Sequence, residues 1–242
     1  MERNIYSYDP QAEERTRTAF HALMSKVYIW MTMALAMTGL TAFYVANNEA
    51  LLYAIVTNSI LFYGLIIAEF ALVMVLSARI MKMSFPVAGL LFAAYSIVNG
   101  VTLSTIFLAY SMESIANAFF VTAGTFGAMS LFGLFTKRDL STVGRFLYMM
   151  LIGLIIATIV NIFLASSVLG WATTFIGVIV FSGLTAYDTQ KMKVLLTEFQ
   201  HTGESNLLKI ALLCSLSLYL DFINLFPVSY THLRAHETSA HL

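Results

Sequence analysis

Charge is scarce in this chain. Asp, Glu, Lys and Arg make up 11% of its 242 residues, where soluble domains carry about 25%. That shortage excludes an ordinary soluble fold, which needs a polar shell. The thirteen basic residues balance thirteen acidic ones, so no cationic surplus points to nucleic acid. A single cysteine, Cys214, excludes an intrachain disulfide and, within an apolar run, reads as a small packing residue. The three prolines, Pro10, Pro86 and Pro227, lie at or outside the ends of predicted helices, where a missing N–H costs little. No histidine falls inside a predicted span, since His21 and His201 flank spans, and Gly-x-Ser-x-Gly does not occur. Zinc and serine hydrolase chemistry therefore lack their groups, and no enzyme or bound cofactor is expected. Nor does the last span hold a buried lysine for a retinal Schiff base, because Lys209 sits at its rim.

Apolar residue types fill 59% of the chain and fall in repeated runs of about 20, the length a helix needs to cross ~30 Å of hydrocarbon. Seven spans follow, at 27–45, 51–77, 85–110, 115–135, 146–164, 168–187 and 207–226. Backbone groups in lipid must be satisfied internally, and the alternation of a membrane barrel strand is missing, so these runs are helices. The second is long for a bilayer and is expected to tilt or protrude. Residues 1–26 are mostly polar and contain no apolar stretch with a small-residue cleavage site, so they read as an arm rather than a cleaved signal peptide. The arm is expected to continue as a helix into the first span. Residues 27–226 form one domain, with 188–206 its only sizeable polar linker. Small pairs in span four, Ala123 with Gly127 and Gly124 with Ala128, suit close helix packing.

Orientation follows from the positive charges. Arg3, Arg15, Arg17 and Lys26 lie in the arm, and Arg79 and Lys82 follow span two. Lys137, Arg138 and Arg145 follow span four, and Lys191, Lys193 and Lys209 follow span six. Twelve of the thirteen Lys and Arg thus share one side, and the opposite loops have none. The basic side, with the N-terminus, is expected in the cytoplasm.

From Pro227 the composition changes abruptly. Residues 227–242 contain His232, His236 and His241 together with the thirteenth basic residue, Arg234. Nothing upstream supplies a partner ligand, so these histidines do not make a metal site. The segment reads as a non-native tail of the kind a cloning scar leaves.

Ten of the thirteen acids lie in the arm, loops or tail; the exceptions are Glu69, Asp188 and Asp221. A charge near the bilayer centre costs about 2.5–3.5 kcal/mol on insertion scales, so such residues face the bundle interior and mark ion or proton pathways. Cys214, Ser217, Asp221 and Asn224 recur every three or four residues, a polar stripe on an otherwise apolar helix. Asp188 closes span six, where it either pairs with Lys191 three residues on or acts inside the bundle. Glu69 lies eleven residues after Asn58, close to three turns and so on nearly the same face; a structural and a functional acid are equally compatible with it. Asn99 and Thr102 give the third span a polar face suited to helix-packing hydrogen bonds. With straight helices and these span limits, Asp188 and Asp221 differ in depth by more than ~10 Å. They meet only if the sixth helix runs past Tyr187 or the seventh begins outside the membrane.

Ala186-Tyr187-Asp188-Thr189-Gln190, paired with Leu218-Tyr219-Leu220-Asp221-Phe222-Ile223-Asn224-Leu225-Phe226, resembles the Bax inhibitor-1 family, particularly its compact bacterial members. The resemblance covers about residues 20–226. It implies an all-α integral membrane protein, a seven-helix bundle with a central seventh helix. It also implies that Asp188 and Asp221 are hydrogen-bonded near the cytoplasmic mouth, sharing a proton because two close carboxylates do not both ionise readily. The family's acid in span two corresponds to Glu69, and the basic residue ending that span to Arg79. The family's short basic tail is replaced here by residues 227–242.

The function so implied is a pH-sensitive calcium leak channel, with Ca2+ as permeant ion passing near Asp188 and Asp221, and with Glu69, Arg79 and Asn224 supporting the pathway or gate. A bacterial plasma membrane is the implied location. A second reading is a membrane-embedded regulator that binds a membrane protease or cell-death and stress machinery, without transport of its own. An intramembrane aspartyl protease fits poorly, because Leu218, Tyr219 and Leu220 stand where those enzymes carry Gly-x-Gly before the second aspartate.

Overall fold

A computed structural model describes residues 10–199 and 203–240, with side chains for 14, 18–199 and 203–228. Its helices are α1 (Pro10–Ala46), α2 (Glu49–Thr57), α3 (Ser59–Arg79), α4 (Phe85–Leu103), α5 (Ile106–Ala109), α6 (Met112–Phe135), α7 (Ser141–Leu164), α8 (Ser167–Glu198) and α9 (Glu204–Ala240). A 3-10 turn, Ile80–Lys82, follows α3, and no strand occurs among the described residues. Seven helical stretches are long and apolar enough to cross a membrane: Thr18–Ala46, Ser59–Lys82, Phe85–Ala109, Met112–Phe135, Ser141–Leu164, Ser167–Glu198 and Glu204–Val228. The chain is an all-α integral membrane protein with the seven spans expected.

The seventh span is central. About 67% of its apolar window is buried, against 33% or less for every other span. It packs against α8, α1, α6 and α4, while α3 leans on α4 and α7 on α8. Many outward side chains are large and apolar, among them Ile60, Ile67, Phe135, Phe163 and Val168, as contact with hydrocarbon requires.

Several boundaries differ from the sequence reading. The long second span is broken at Asn58, whose extended backbone (φ −100°, ψ 92°) ends α2 and whose side chain accepts a hydrogen bond from the Leu61 N–H at 3.1 Å, starting α3. Asn58 is exposed and serves as a cap, so it shares no helical face with Glu69. The third span is interrupted after Leu103 before the short α5. The arm is helical from Pro10 onward, in keeping with its expected continuation into the first span, but the span begins at Thr18 and so includes His21, which is exposed.

The largest correction concerns 188–206. α8 continues to Glu198, about three turns past Tyr187. Thr185, Asp188, Thr189, Met192 and Leu196 are buried along it and Lys191, Lys193 and Thr197 are exposed, a helical period that an apolar-run criterion misses. Pro227, placed beyond a helix end, lies inside α9, which runs on to Ala240. A proline there withdraws one backbone donor without requiring the helix to end. The side chains of His232, His236 and His241 lie outside the described residues.

Close packing also falls elsewhere than the small pairs in span four. A Cβ added at Gly124 or Gly127 meets open space, whereas one at Gly133 collides with the backbone of Ala186. Gly133 thus lets α6 and α8 approach backbone to backbone beside the Tyr187-Asp188 segment. Gly133→Ala is expected to destabilise the protein by about 1–3 kcal/mol through overpacking, read as a lowered Tm in detergent. Gly124→Ala, whose methyl meets open space, is expected to hold or slightly raise Tm, since alanine is the better helix former.

Candidate functional site

The inward stripe of α8 carries Asp188 into the bundle, only 7% exposed. The Tyr148 hydroxyl of α7 donates to its carboxylate, 3.2 Å from Oδ1 and 3.5 Å from Oδ2. Lys191, one turn further along α8, attracts the same carboxylate. Across the α8–α9 contact lies Asp221, 5% exposed, with Oδ2 buried and without a hydrogen-bond partner. The charge acting on Asp221 is that of Asp188. Tyr148 is itself within electrostatic reach of both carboxyl groups. The two aspartates are thus brought into one electrostatic neighbourhood, and the added turns of α8 keep Asp188 away from a helix end.

The other candidate residues are distributed differently. Asn224 is exposed rather than continuing the buried stripe. At about 100° per residue, the ten steps from Cys214 to Asn224 turn it by about 80° from the direction of Cys214, enough to leave the interior. Arg79 is exposed at the end of α3. Glu69 faces another polar cluster, beside Asn99 and Thr102 of α4, with Oε1 buried and unpartnered.

That second cluster is organised by Tyr219, a fully buried residue two positions before Asp221. Its hydroxyl lies 2.7 Å from Thr38 Oγ1 and 3.3 Å from Asn99 Oδ1. Thr38 Oγ1 also lies 3.0 Å from the Ala34 carbonyl and 2.9 Å from the Ser96 carbonyl. Carbonyl oxygens only accept, so Tyr219 donates its single proton to Asn99 Oδ1, and the Thr38 proton is shared among the two backbone carbonyls and the Tyr219 oxygen. Rings of Phe92 and Tyr95 meet the Tyr219 ring edge-on at 5.5 and 5.7 Å. Tyr219 therefore ties α9 to α1 and α4 in the middle of the bundle.

Two cavities approach the aspartates along α9. One, of about 210 Å³ at the end carrying the basic loops, is lined by Ser77, Asp188, Lys191, Leu213, Cys214 and Ser217 among others. The other, of about 350 Å³ towards the opposite end, is almost wholly apolar, with Leu35, Phe107, Phe119, Phe222 and Phe226 in its wall. Between Ser217 of the first and Phe222 of the second, α9 advances only about 7.5 Å. Leu218, Tyr219, Leu220 and Asp221 fill that interval. Among the described residues, no three His, Cys, Asp or Glu side chains converge on one point.

Tyr148, Lys191 and Thr38 were not singled out as site residues by sequence, and Tyr219 was noted only as part of a motif. Tyr148 stands alone in an apolar run, and its only signal was a hydroxyl among hydrocarbon side chains. Lys191 was weighed only as a surface partner for Asp188.

Residues 20–233 match the family described as Inhibitor of apoptosis-promoting Bax1. The chain is 52% identical over 210 residues to the inner membrane protein YbhL of Escherichia coli strain K12, covering 87% of this chain and 90% of that one. An uncharacterized protein of Deinococcus radiodurans is 39% identical over 88% of this chain and 90% of its own length. An uncharacterized membrane protein of Streptococcus pyogenes serotype M1 is 35% identical over 84% and 87% respectively.

Removing the Tyr219 hydroxyl strands the buried Asn99 Oδ1 on α4 and takes one partner from Thr38 on α1. Tyr219→Phe is expected to cost about 1–3 kcal/mol, seen as a lower Tm in detergent, while Tyr63→Phe, at an exposed position, leaves Tm unchanged.

Proposed function

The chain belongs to the Bax inhibitor-1 family, and on that premise we propose that it is a pH-sensitive cation leak, permeable to Ca2+ and gated by protonation of the Asp188–Asp221 pair. The observation that carries this reading is a buried Asp221 with an unpartnered carboxyl oxygen, within electrostatic reach of a second buried carboxyl group. Two negative charges so placed repel strongly in a medium that screens poorly. A proton held between them cancels most of that repulsion and lets α8 and α9 stay packed. Loss of the proton drives the two helices apart and joins the two cavities across the short interval between them. A divalent cation relieves the same repulsion as it passes, with carboxylate and hydroxyl oxygens as hard ligands.

This reading places the N-terminus and the basic loops in the cytoplasm, since twelve of the thirteen Lys and Arg lie on that side. It places the protein in a bacterial inner membrane, by its likeness to YbhL. It makes the chain a passive conductor and not an enzyme. Glu69 contributes a carboxyl group beside the route, held by α4, and Asn224 and Arg79 stand nearer its ends.

Purified protein in liposomes loaded with a Ca2+ indicator tests the proposal. Leak is expected to rise from acidic to alkaline pH, because deprotonation opens the gate. Asp221→Asn and Asp188→Asn, each permanently neutral at one position, are expected to flatten this response and lower alkaline leak by about tenfold, the equivalent of about 1.4 kcal/mol. An unchanged pH profile in both variants would defeat the paired-carboxyl gate. Absence of flux at every pH, with binding to a membrane protease or stress partner intact, would favour the regulator reading instead.

A further inference from the structure

The cavity at the basic end holds a fixed positive charge that the gate does not use. Ser77 and Lys191 are exposed and form its rim, while Asp188 and Cys214 are buried and form its floor. Lys191 follows Asp188 by three residues on α8, so the two side chains share a helical face. Lys191 is exposed and lines the cavity, so its ammonium is hydrated at the rim. Its charge acts on Asp188 and on the Cys214 sulfur. The other residues lining the cavity, Ser77, Met192, Leu195, Leu213 and Ser217, carry no charge, and Arg79 is not among them.

We propose that Lys191 is a tethered cation that competes with mobile cations for the Asp188 carboxylate in this cavity. The idea rests on the cation-leak reading for its physiological meaning and on the cavity geometry for its substance. Without Lys191, a buried carboxylate in a cavity that Ser77 and Ser217 also line offers a divalent ion hard oxygen ligands and no opposing charge. Such a site binds and retains. A permeation path needs binding weak enough to release. The ammonium supplies that weakening, because each arriving cation either displaces it or shares the carboxylate with it. Lys191 thereby turns a potential calcium trap into a transit position and sets how strongly the vestibule prefers cations.

Cys214, the only cysteine in the chain, lies on the same floor and reports the local potential directly. The experiment compares its rates of modification by aminoethyl methanethiosulfonate, a cation, and sulfonatoethyl methanethiosulfonate, an anion, in the purified full chain. Lys191→Gln is expected to raise the cation-to-anion rate ratio about tenfold. Lys191→Arg keeps the charge and is expected to hold the wild-type ratio, and Asp188→Asn is expected to move it the other way. A ratio unchanged in Lys191→Gln, or a Cys214 that reacts with neither reagent, overturns the proposal, since the charge or the cavity would then be out of reach of ions. In liposomes, Lys191→Gln is expected to lower the Ca2+ concentration that half-saturates leak by several-fold. A labelling shift as expected with no leak in any variant would refute the channel reading and leave the role of Lys191 in the cavity standing.

Discussion

Two carboxyl groups buried where α8 meets α9 set the terms for the rest of the bundle. Hydrocarbon does not solvate a carboxylate, so each such group must be placed inside the protein and given a partner, a proton or a cation. Asp188 has Tyr148 and, one turn away, Lys191. Asp221 has an oxygen with no hydrogen-bond partner and a carboxyl neighbour. Two close carboxyl groups are harder to accommodate with both ionised than with one protonated.

Holding that pair demands a rigid frame. α9 gains it from burial on nearly all sides and from Tyr219, whose hydroxyl ties it to Thr38 on α1 and Asn99 on α4. α8 gains it from α6, where Gly133 admits the Ala186 backbone, and from the Gln190 side chain, which bonds the Leu140 N–H at 2.8 Å and the Arg138 carbonyl at 2.8 Å. These contacts bracket the aspartates on both sides without touching them. The two cavities end on either side of the short interval of α9 that carries Asp221.

The chemistry of the two cavities is unequal. The one at the basic end has hydroxyl, carboxyl and ammonium groups and an exposed rim, so water and ions belong in it. The other is lined by Leu, Ile and Phe side chains and holds almost no polar surface. An apolar lining of that kind disfavours water and ions. The carboxyl pair sits on the boundary between these two environments.

Sequence by itself determined the membrane class, the seven spans, the charge asymmetry of the loops and the presence of three acids among apolar runs. These are legible because hydropathy acts locally, over about 20 residues, and the cost of a charge in lipid does not depend on which helix is next to it. The motifs around Asp188 and Asp221 also carried the family resemblance that the match over residues 20–233 bears out. Tertiary structure alone decided which polar groups meet. It moved the end of α8 to Glu198, exposed Asn224, made Asn58 a cap, and set Glu69 in the Tyr219 cluster rather than beside the aspartates. Those outcomes depend on the depth and rotation of each helix, which packing against neighbours sets and one helix's own composition does not.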